Sequence, residues 1–320
     1  MGPQTNPLNQ HGNRRKHITK LPVIKPPKLE TGDLVGVISP AGPVSESDLQ
    51  PGLKILESFG FDVRLAPHVY DMEGYLAGKD EARLDDLHAM LQDRDTKAVF
   101  CARGGYGSLR LLDRIDYDLI RSNPKILVGF SDITALLMAV HAKTGLVTFH
   151  GPMVRGLDRG HQSNWESLLR LLTSDKPAKP DLSGCSVLAP GRAKGPLIGG
   201  NLSMICHLLG TPFMPRLDGC ILFLEDRGEA LYRLDRMLTH LALAGGLKGI
   251  SGLIAGQFEG CGETADINRL FSDIISEPGI PLVTGFPVGH GKQNLALPLG
   301  LTADLDTETM TLTIKEACIR

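Results

Sequence analysis

The sequence predicts an α/β protein whose first part is a mainly parallel sheet covered by helices on both faces. From Leu34 onward, short apolar runs alternate with amphipathic stretches of helical spacing, which is the pattern of such a sheet. The chain has 320 residues and is 42% hydrophobic, which is enough for a large core in one large domain or two ordinary ones.

Strands and helices of the first part are predicted to alternate, with two short helices between the third strand and the fourth. The strands are Leu34–Ile38, Phe61–Leu65, Ala98–Cys101, Ile126–Phe130 and Leu146–His150. The helices are Asp48–Phe59, Glu81–Leu91, Leu109–Ile115, Tyr117–Arg121 and Ile133–Lys143. Functional groups collect at the carboxyl ends of parallel strands, and three unusual loops follow strands here: SPAGP (39–43), RGGYG (103–107) and FSD (130–132).

The pattern loosens between about Asp158 and Pro196, where a helix at Trp165–Leu172 precedes the linker-like segment TSDKPAKPDLSG. Beyond it, apolar runs and helices lead to an alternating, strand-rich tail at Ala296–Ile314. We therefore predict a disordered, polar and Pro-rich extension (1–28), an α/β domain (29–175), a linker (176–190) and a smaller, β-rich α+β domain (191–320).

Charge and composition exclude several classes of protein. The net charge is −2, the pI is near 6.6, and no charge run stands out in the body of the chain, which argues against a nucleic-acid or membrane-surface binder. No apolar stretch reaches the roughly 18 residues of a membrane span, and the basic amino-terminal stretch has no apolar region after it. Six scattered cysteines, without a C-x-x-C pair, are typical of reduced thiols in a cytoplasmic protein.

Ser131 is the first candidate for catalysis, because it lies between a buried strand and a helix in the segment GFSDIT. That is the position of a nucleophile elbow, where the helix amino terminus favours developing negative charge. Ser and Asp are also the usual helix N-caps, and on local spacing alone the cap is the favoured interpretation. Ile133 stands where G-x-S-x-G requires its second glycine, so an ordinary α/β-hydrolase is disfavoured.

The RGGYG loop is the second candidate, since its glycines allow backbone N–H groups to approach a ligand closely. It matches neither the phosphate-binding P-loop nor G-x-G-x-x-G, so an oxyanion donor from Gly104 or Gly105 fits better than a nucleotide site. Taken alone, a plain glycine turn is favoured.

An acid and a base can be proposed in the second part of the chain. Glu225 directly follows the apolar run Ile221–Leu224 and could orient a histidine, although a solvated acidic turn gives the same pattern. His290 lies between two glycines on a predicted loop, where a general base could reach a nucleophile. His150, at a strand end, is the rival base. No metal-binding spacing of His, Cys or acidic residues is present, so no metal is predicted.

The order of these motifs is more specific than any one of them. SPAGP, RGGYG, GFSD, GGN, LEDRGE, GHG and LPLG follow one another between about Asp33 and about Thr313. This series resembles the LD-carboxypeptidase family of serine peptidases, which cleave muropeptides in peptidoglycan recycling. The resemblance implies a flavodoxin-like amino-terminal domain, a β-rich carboxyl-terminal domain, no cofactor, a muropeptide substrate and a homodimer.

The resemblance also implies roles for individual residues. Ser131 would be the nucleophile, Glu225 the acid and His290 the base, with the backbone N–H groups of Asp132 and Gly104 as the oxyanion hole. The mechanism also needs a cation for the terminal carboxylate of the substrate, and the candidates are Arg103, Arg233 and Lys292. Asn201, which follows two glycines and precedes a helix, is either a simple N-cap or a hydrogen-bonding partner of a substrate carboxylate or amide.

Four other functions each require a feature of the sequence. The same fold and triad could serve a microcin-type immunity peptidase that cleaves a peptidyl nucleotide, which would need an aromatic residue to stack a base. A two-lobed periplasmic binding protein would need a signal peptide, and a glutamine amidotransferase would need a cysteine at position 131. A nucleotide-dependent dehydrogenase would need G-x-G-x-x-G after the first strand, where SPAGP stands.

Overall fold

The protein is described by a computed structural model that covers residues 21–158, 161–275 and 279–320. Its first sheet contains five parallel strands: β1 (Leu34–Ile38), β2 (Asp62–Leu65), β3 (Thr96–Cys101), β4 (Ile126–Gly129) and β5 (Thr148–His150). They are arranged in the order β2-β1-β3-β4-β5. This is the strand order of flavodoxin-like folds, so the predicted fold of the first part is confirmed.

Helices connect these strands and cover the sheet: α1 (Glu46–Ser58), α2 (Asp80–Gln92), α3 (Tyr117–Ser122), α4 (Thr134–Thr144) and α5 (Gln162–Thr173). Ser45 and Asp116 cap the amino termini of α1 and α3 with their side-chain oxygens. Helix α4 is buried on almost every side, since it contacts β5 and two strands of the second part of the chain, Arg192–Asn201 and Leu297–Leu299. That burial explains its continuous apolar sequence.

The second sheet is mixed and is built from β6 (Ser186–Ala189), β7 (Arg192–Asn201), β8 (Ile221–Arg227), β9 (Gly252–Glu259), β10 (Leu282–Thr284), β12 (Thr302–Asp306) and β13 (Thr311–Ile314). Its order is β13-β12-β7-β8-β9-β10-β6. The four central strands, β7 to β10, are parallel, and the outer strands pair antiparallel. Helices α6 (Leu202–Leu208), α7 (Leu231–Leu243) and α8 (Thr264–Ile274) follow strands of this sheet.

The remaining strand, β11 (Leu297–Leu299), joins the two halves of the molecule. It pairs antiparallel with β5 and so forms the edge of the first sheet, although β10 before it and β12 after it both belong to the second sheet. Residues 285–296 therefore cross from one sheet to the other. His290 lies on this crossing segment.

Two predicted boundaries need correction. The extension predicted as disordered includes residues 21–28, yet Ile24 exchanges backbone hydrogen bonds with Gly145 and Val147 and adds a bridge beside β5. Its residues 1–20 lie outside the described residues. The predicted linker contains β6, which pairs with the edge strand β10, and Leu182 in it is fully buried. The sequence of β6 gave no strand signal because both of its faces are half-exposed.

No helix in the described ranges is both long and apolar enough to cross a membrane. The apolar runs of both sheets are almost completely buried and merge into one continuous core. The two sheets are thus packed together through shared helices and the crossing segment.

Candidate active site

Ser131 occupies a sharp turn between β4 and α4. Phe130 before it is extended, whereas Ser131 has a φ of +63°. This is the left-handed backbone conformation, which residues other than glycine rarely adopt. A short 3₁₀ turn, Ser131–Ile133, then leads directly into α4. The left-handed conformation of Ser131 costs about 1–3 kcal/mol and persists only where the surrounding structure enforces it. The local sequence was compatible with a simple N-cap, but the Ser131 side chain is not an N-cap here.

His290 lies within hydrogen-bond distance of both other residues of the predicted triad. Its Nε2 is 2.9 Å from the Oγ of Ser131, and its Nδ1 is 2.7 Å from the Oε2 of Glu225. The imidazole is 12% exposed, and the ring of Phe130 packs against it with 4.9 Å between centroids. The three groups therefore form one continuous hydrogen-bonded chain that joins the two sheets.

Glu225 lies inside β8 rather than after it, because this strand extends to Arg227. Opposite Glu225 the pairing of β8 with β9 is interrupted, since Leu224 pairs with Ala255 whereas Asp226 pairs with Phe258. Two residues of β9 thus face one residue of β8, which is the geometry of a β-bulge. Bulges re-aim a side chain, and this one accompanies the turn of Glu225 toward the histidine.

The carboxyl group of Glu225 is fully buried. Burial raises the pKa of Glu225 above its ordinary value, while the hydrogen bond and charge of His290 act in the opposite direction. Gly289 makes the close approach possible. A Cβ at this residue would lie 2.6 Å from the Oε2 of Glu225, and its φ of +118° also favours glycine. The glycine before His290 is therefore required by the contact with Glu225.

Gly104 lies directly against the serine because β3 and β4 are neighbours, so the loops after them meet. A Cβ on Gly104 would lie 3.0 Å from the Cβ of Ser131, 3.2 Å from its Oγ and 3.4 Å from the backbone nitrogen of Asp132. Only a residue without a side chain leaves room for a reacting carbonyl beside Oγ. This is the position predicted for an oxyanion-binding amide.

Asp132 connects the serine turn to the RGGYG loop. Its buried carboxylate accepts a 2.9 Å hydrogen bond from the backbone N–H of Ser108, and its backbone carbonyl accepts a 2.6 Å bond from the Ser108 hydroxyl. These two bonds fix the end of the glycine loop relative to the start of α4. The carboxylate of Asp132 thus has a structural partner, and the backbone nitrogen of Asp132 lies 3.4 Å from where a Cβ on Gly104 would be.

Arg103 binds protein backbone. Its guanidinium donates to the carbonyl oxygens of Pro43 and Gly104 at 3.1 and 3.2 Å. The loop carrying Pro43 also contacts the glycine loop through a hydrogen bond from Gly42 N–H to Gly104 O, at 3.1 Å. Arg103 therefore ties together the loops after β1 and β3.

Asn201 is a buried N-cap of α6. Its Oδ1 accepts from the Met204 N–H at 3.2 Å, and its Nδ2 donates to Asp226 at 3.0 Å. Its own backbone N–H donates to the hydroxyl of Thr134 in α4, at 3.1 Å. The N-cap interpretation of Asn201 is thus confirmed, and its contacts fix the serine's helix to the strand next to Glu225, while its contact with a substrate stays a prediction.

Arg233 and Lys292 are exposed. Arg233 lies on α7, beside Tyr232 and 3.5 Å from the carboxylate of Glu229, and makes no contact with the triad. Lys292 is two residues from His290, and its backbone carbonyl is held from α5. Among the described residues, neither side chain forms a hydrogen bond with Ser131 or an ion pair with Glu225.

His150 is excluded as the base by its surroundings. Its ring is fully buried, edge-on to Phe223, and burial lowers its pKa to about 3. Neither ring nitrogen contacts the serine. Two asparagines that the sequence analysis did not single out do contact the His290 loop: Asn164 and Asn294. Asn294 lies close to the GHG motif, but Asn164 is 126 positions before His290 in the chain and carries no local signal.

Comparison with known proteins agrees with the geometry. Residues 35–151 match the family model described as the LD-carboxypeptidase N-terminal domain, and residues 194–305 match the LD-carboxypeptidase C-terminal domain. A probable murein peptide carboxypeptidase of Bacillus subtilis is 41% identical over 91% of this chain and 94% of its own length.

Two further relatives cover a similar share of the chain. The murein tetrapeptide carboxypeptidase of Pseudomonas aeruginosa is 36% identical over 85% of this chain and 92% of its own length. The crystal structure of an MccF-like protein from Bacillus anthracis superposes with a TM-score of 0.86 at 31% identity, over 91% of this chain and 99% of that one. This chain therefore belongs to the LD-carboxypeptidase family of serine-type carboxypeptidases.

Proposed function

We propose that the protein removes a terminal D-alanine from murein tetrapeptides by hydrolysing the L,D-peptide bond, with Ser131, Glu225 and His290 as its catalytic triad. The observation that carries the proposal is the continuous hydrogen-bonded chain from the buried Glu225 through His290 to Ser131. Such a chain is the arrangement that activates a serine for acyl transfer.

The reaction begins when Oγ of Ser131 attacks the scissile carbonyl and its proton passes to Nε2 of His290. Glu225, on Nδ1, holds the imidazole in the required tautomer and stabilises the imidazolium that forms. His290 then gives the proton to the amine of the leaving D-alanine, and an acyl-enzyme remains. A water molecule, deprotonated by His290, hydrolyses this ester and regenerates the serine.

The oxyanion of each tetrahedral intermediate would be held by the backbone N–H groups of Gly104 and Asp132. Their support is the contact of Gly104 with the serine and the start of a helix at Asp132. Each donor of this kind is typically worth about 3–4 kcal/mol of transition-state stabilisation.

Cleavage of murein peptides from their carboxyl end is the activity that the relatives' names suggest, since those from Bacillus subtilis and Pseudomonas aeruginosa are a probable murein peptide carboxypeptidase and a murein tetrapeptide carboxypeptidase. The test compares Ser131→Ala with the wild type for release of D-alanine from a murein tetrapeptide. We expect the variant to lose turnover by about 10⁴-fold or more. A variant that kept the wild-type rate would overturn the mechanism.

A second candidate is hydrolysis of a microcin-like peptidyl nucleotide, which the likeness to the MccF-like structure favours. Such a substrate needs an aromatic ring to stack its base. Trp165, the one tryptophan of the chain, is half-buried on α5 and packs against Phe59 with 4.8 Å between ring centroids. Turnover of an aspartyl sulfamoyl nucleotide in parallel with the tetrapeptide would separate the two functions.

Three further statements belong to the same proposal. The division into an amino-terminal domain that carries the nucleophile and a carboxyl-terminal domain that carries Glu225 and His290 is supported by the two sheets. A homodimer is expected from the family resemblance. A cytoplasmic location is expected from the free, mostly buried cysteines. Light scattering of the purified protein and fractionation of cells that express it test these last two points.

A further inference from the structure

We infer that Asn164 is a positioning residue for the base: its side-chain amide clamps the crossing segment that carries His290 onto helix α5. The inference rests on the proposed function, because it assigns to Asn164 the task of keeping His290 within reach of Ser131. Asn164 touches neither the serine nor the imidazole, so it acts only through the loop.

The side-chain amide of Asn164 is paired in both directions with the backbone of this loop. Its Oδ1 accepts a hydrogen bond from the backbone N–H of Asn294 at 2.8 Å, and its Nδ2 donates to the backbone carbonyl of Lys292 at 3.2 Å. These two loop residues flank one position, so the amide binds the loop as a neighbouring strand would. The two bonds together fix both the distance and the orientation of residues 292–294.

A second amide carries the constraint to the histidine itself. Asn294 uses its Oδ1 to accept from the backbone N–H of Gly289 at 2.9 Å, one residue before His290. The loop is closed at its base by a 2.8 Å bond from Leu295 N–H to Pro287 O. Two hydrogen bonds therefore connect Asn164 to the residue before His290. In each of them, an asparagine side chain accepts from a backbone N–H of the loop.

Burial makes the clamp selective for an amide. Asn164 and Asn294 are 6% and 4% exposed, so water cannot replace a lost partner there at little cost. Only an amide offers one acceptor and one donor in the geometry of this loop. An aspartate at 164 would keep the acceptor but would place a carboxylate oxygen against the carbonyl of Lys292.

Helix α5 is a rigid base for this clamp. Leu168 and Leu171 of the helix are buried in the core, and the Ser167 hydroxyl accepts from Ala296 N–H at 3.0 Å, at the end of the same segment. The helix thus determines where the crossing segment runs. A shift of about 1 Å in a catalytic group can cost about 100-fold in rate, so the clamp acts on kcat.

The experiment compares Asn164→Asp and the uncharged, nearly isosteric Asn164→Leu with Asn123→Asp as the matched control. Asn123 is also a partly buried asparagine whose Nδ2 donates to a backbone carbonyl, that of Leu119 at 3.1 Å, but it caps α3 away from the loop. Each variant is assayed for kcat and KM with the tetrapeptide, for rate of labelling by a fluorophosphonate, and for melting temperature.

We expect both Asn164 variants to lose about 10- to 100-fold in kcat and in labelling rate, with KM within about threefold of the wild type. The control is expected to keep the wild-type kcat. An Asn164 variant that is folded and keeps wild-type kcat and labelling, or that loses only melting temperature as the control does, would overturn the inference. If Asn164→Asp does not fold, Asn164→Leu decides.

Failure of the proposed function would look different. In that case Ser131→Ala would keep the wild-type turnover, or the wild-type protein would not react with the fluorophosphonate at all. If Ser131→Ala is inactive while the Asn164 variants keep the wild-type kcat, the proposed triad is retained and only the positioning role of Asn164 is rejected.

Discussion

The nucleophile and the base of this site are held by different means. Ser131 sits in a turn of the main chain whose geometry follows from β4 and α4, and its left-handed φ is enforced by close packing. His290 sits on a crossing segment without regular structure, which is held by amide side chains and by Glu225. One position is determined by secondary structure and the other by individual hydrogen bonds.

This difference predicts which substitutions each side tolerates. The serine turn is sensitive to added volume, because Gly104 leaves no room for a side chain beside Oγ. The histidine segment is sensitive to the loss of hydrogen-bond partners, because the buried side chains of Phe286 and Val288 anchor only its start and amide side chains hold residues 289–294.

Removal of the base gives the largest effect. His290→Ala is expected to lower kcat about 10⁴- to 10⁶-fold, since the serine then has no proton acceptor. The measurement is D-alanine release under single-turnover conditions. The double variant with Ser131→Ala should be scarcely slower than either single one, because groups that act as a unit are not additive. An additive loss would contradict the coupling of the two sides.

Replacing the buried carboxylate of Glu225 by an amide is a milder change than removing His290. Glu225→Gln is expected to lower kcat about 10³- to 10⁴-fold, because an amide cannot stabilise the imidazolium. The same change should raise stability at neutral pH, because it removes a buried charge.

The sign follows from the raised pKa of Glu225 in the folded protein. A raised pKa means that the folded state holds the proton more tightly than the unfolded one, so the cost of the buried charge grows as pH rises above 4.5, the ordinary value. Urea unfolding at pH 7 measures the gain. A clear loss of stability would show that the ion pair with His290 outweighs the burial.

A single methyl group tests the serine side. Gly104→Ala is expected to lower kcat about 10²- to 10³-fold, since its Cβ would lie 3.2 Å from Oγ in the space of the oxyanion. Gly184→Ala is the matched control, because a Cβ there meets nothing within 4 Å. Both are compared by kcat and by labelling with a fluorophosphonate, and equal rates for the two would reject the oxyanion assignment.

The smallest effect on catalysis is expected at His150, which changes stability instead. Its folded pKa of about 3 lies below the ordinary 6.5, so its contribution to stability is present above pH 6.5 and is lost as pH falls toward 3. One such group gives a slope of up to about 1.4 kcal/mol per pH unit.

His150→Leu should flatten the pH dependence of stability by this amount and keep kcat within about threefold. Urea unfolding at several pH values between 7 and 4 provides the measurement. His207→Gln serves as the control, because His207 is exposed. If the His150 variant kept the wild-type slope, the buried ring would not be the group that titrates.

The strands and helices of the first sheet could be predicted from the sequence because each has a strong local period. The strand order could not be derived from that period, and came from the family resemblance. Ser131 was found at the junction of two predictable elements. Its role could not be decided locally, since an N-cap and a nucleophile occupy the same junction.

Local patterns make Glu225 and His290 candidates, but only the order of motifs assigns their roles, because the contact joins residues that are 65 positions apart in sequence. Arg103 and Arg233 are candidates for substrate binding by their charge, and Asn201 by its position before a helix. In the structure, Arg103 binds the carbonyl oxygens of loops, Asn201 caps α6, and Arg233 is exposed on α7. Asn164 was missed because its partners are backbone groups, which leave no sequence pattern.

Strand β11 has a consequence for the protein during its synthesis. The first sheet lacks its strand β11, and Ser131 lacks the histidine beside it, until residues 285–299 have been synthesised. A nascent chain that ends before His290 therefore contains Ser131 without its hydrogen-bond partner. A protease cut between residues 285 and 290 would place Ser131 and His290 on separate fragments.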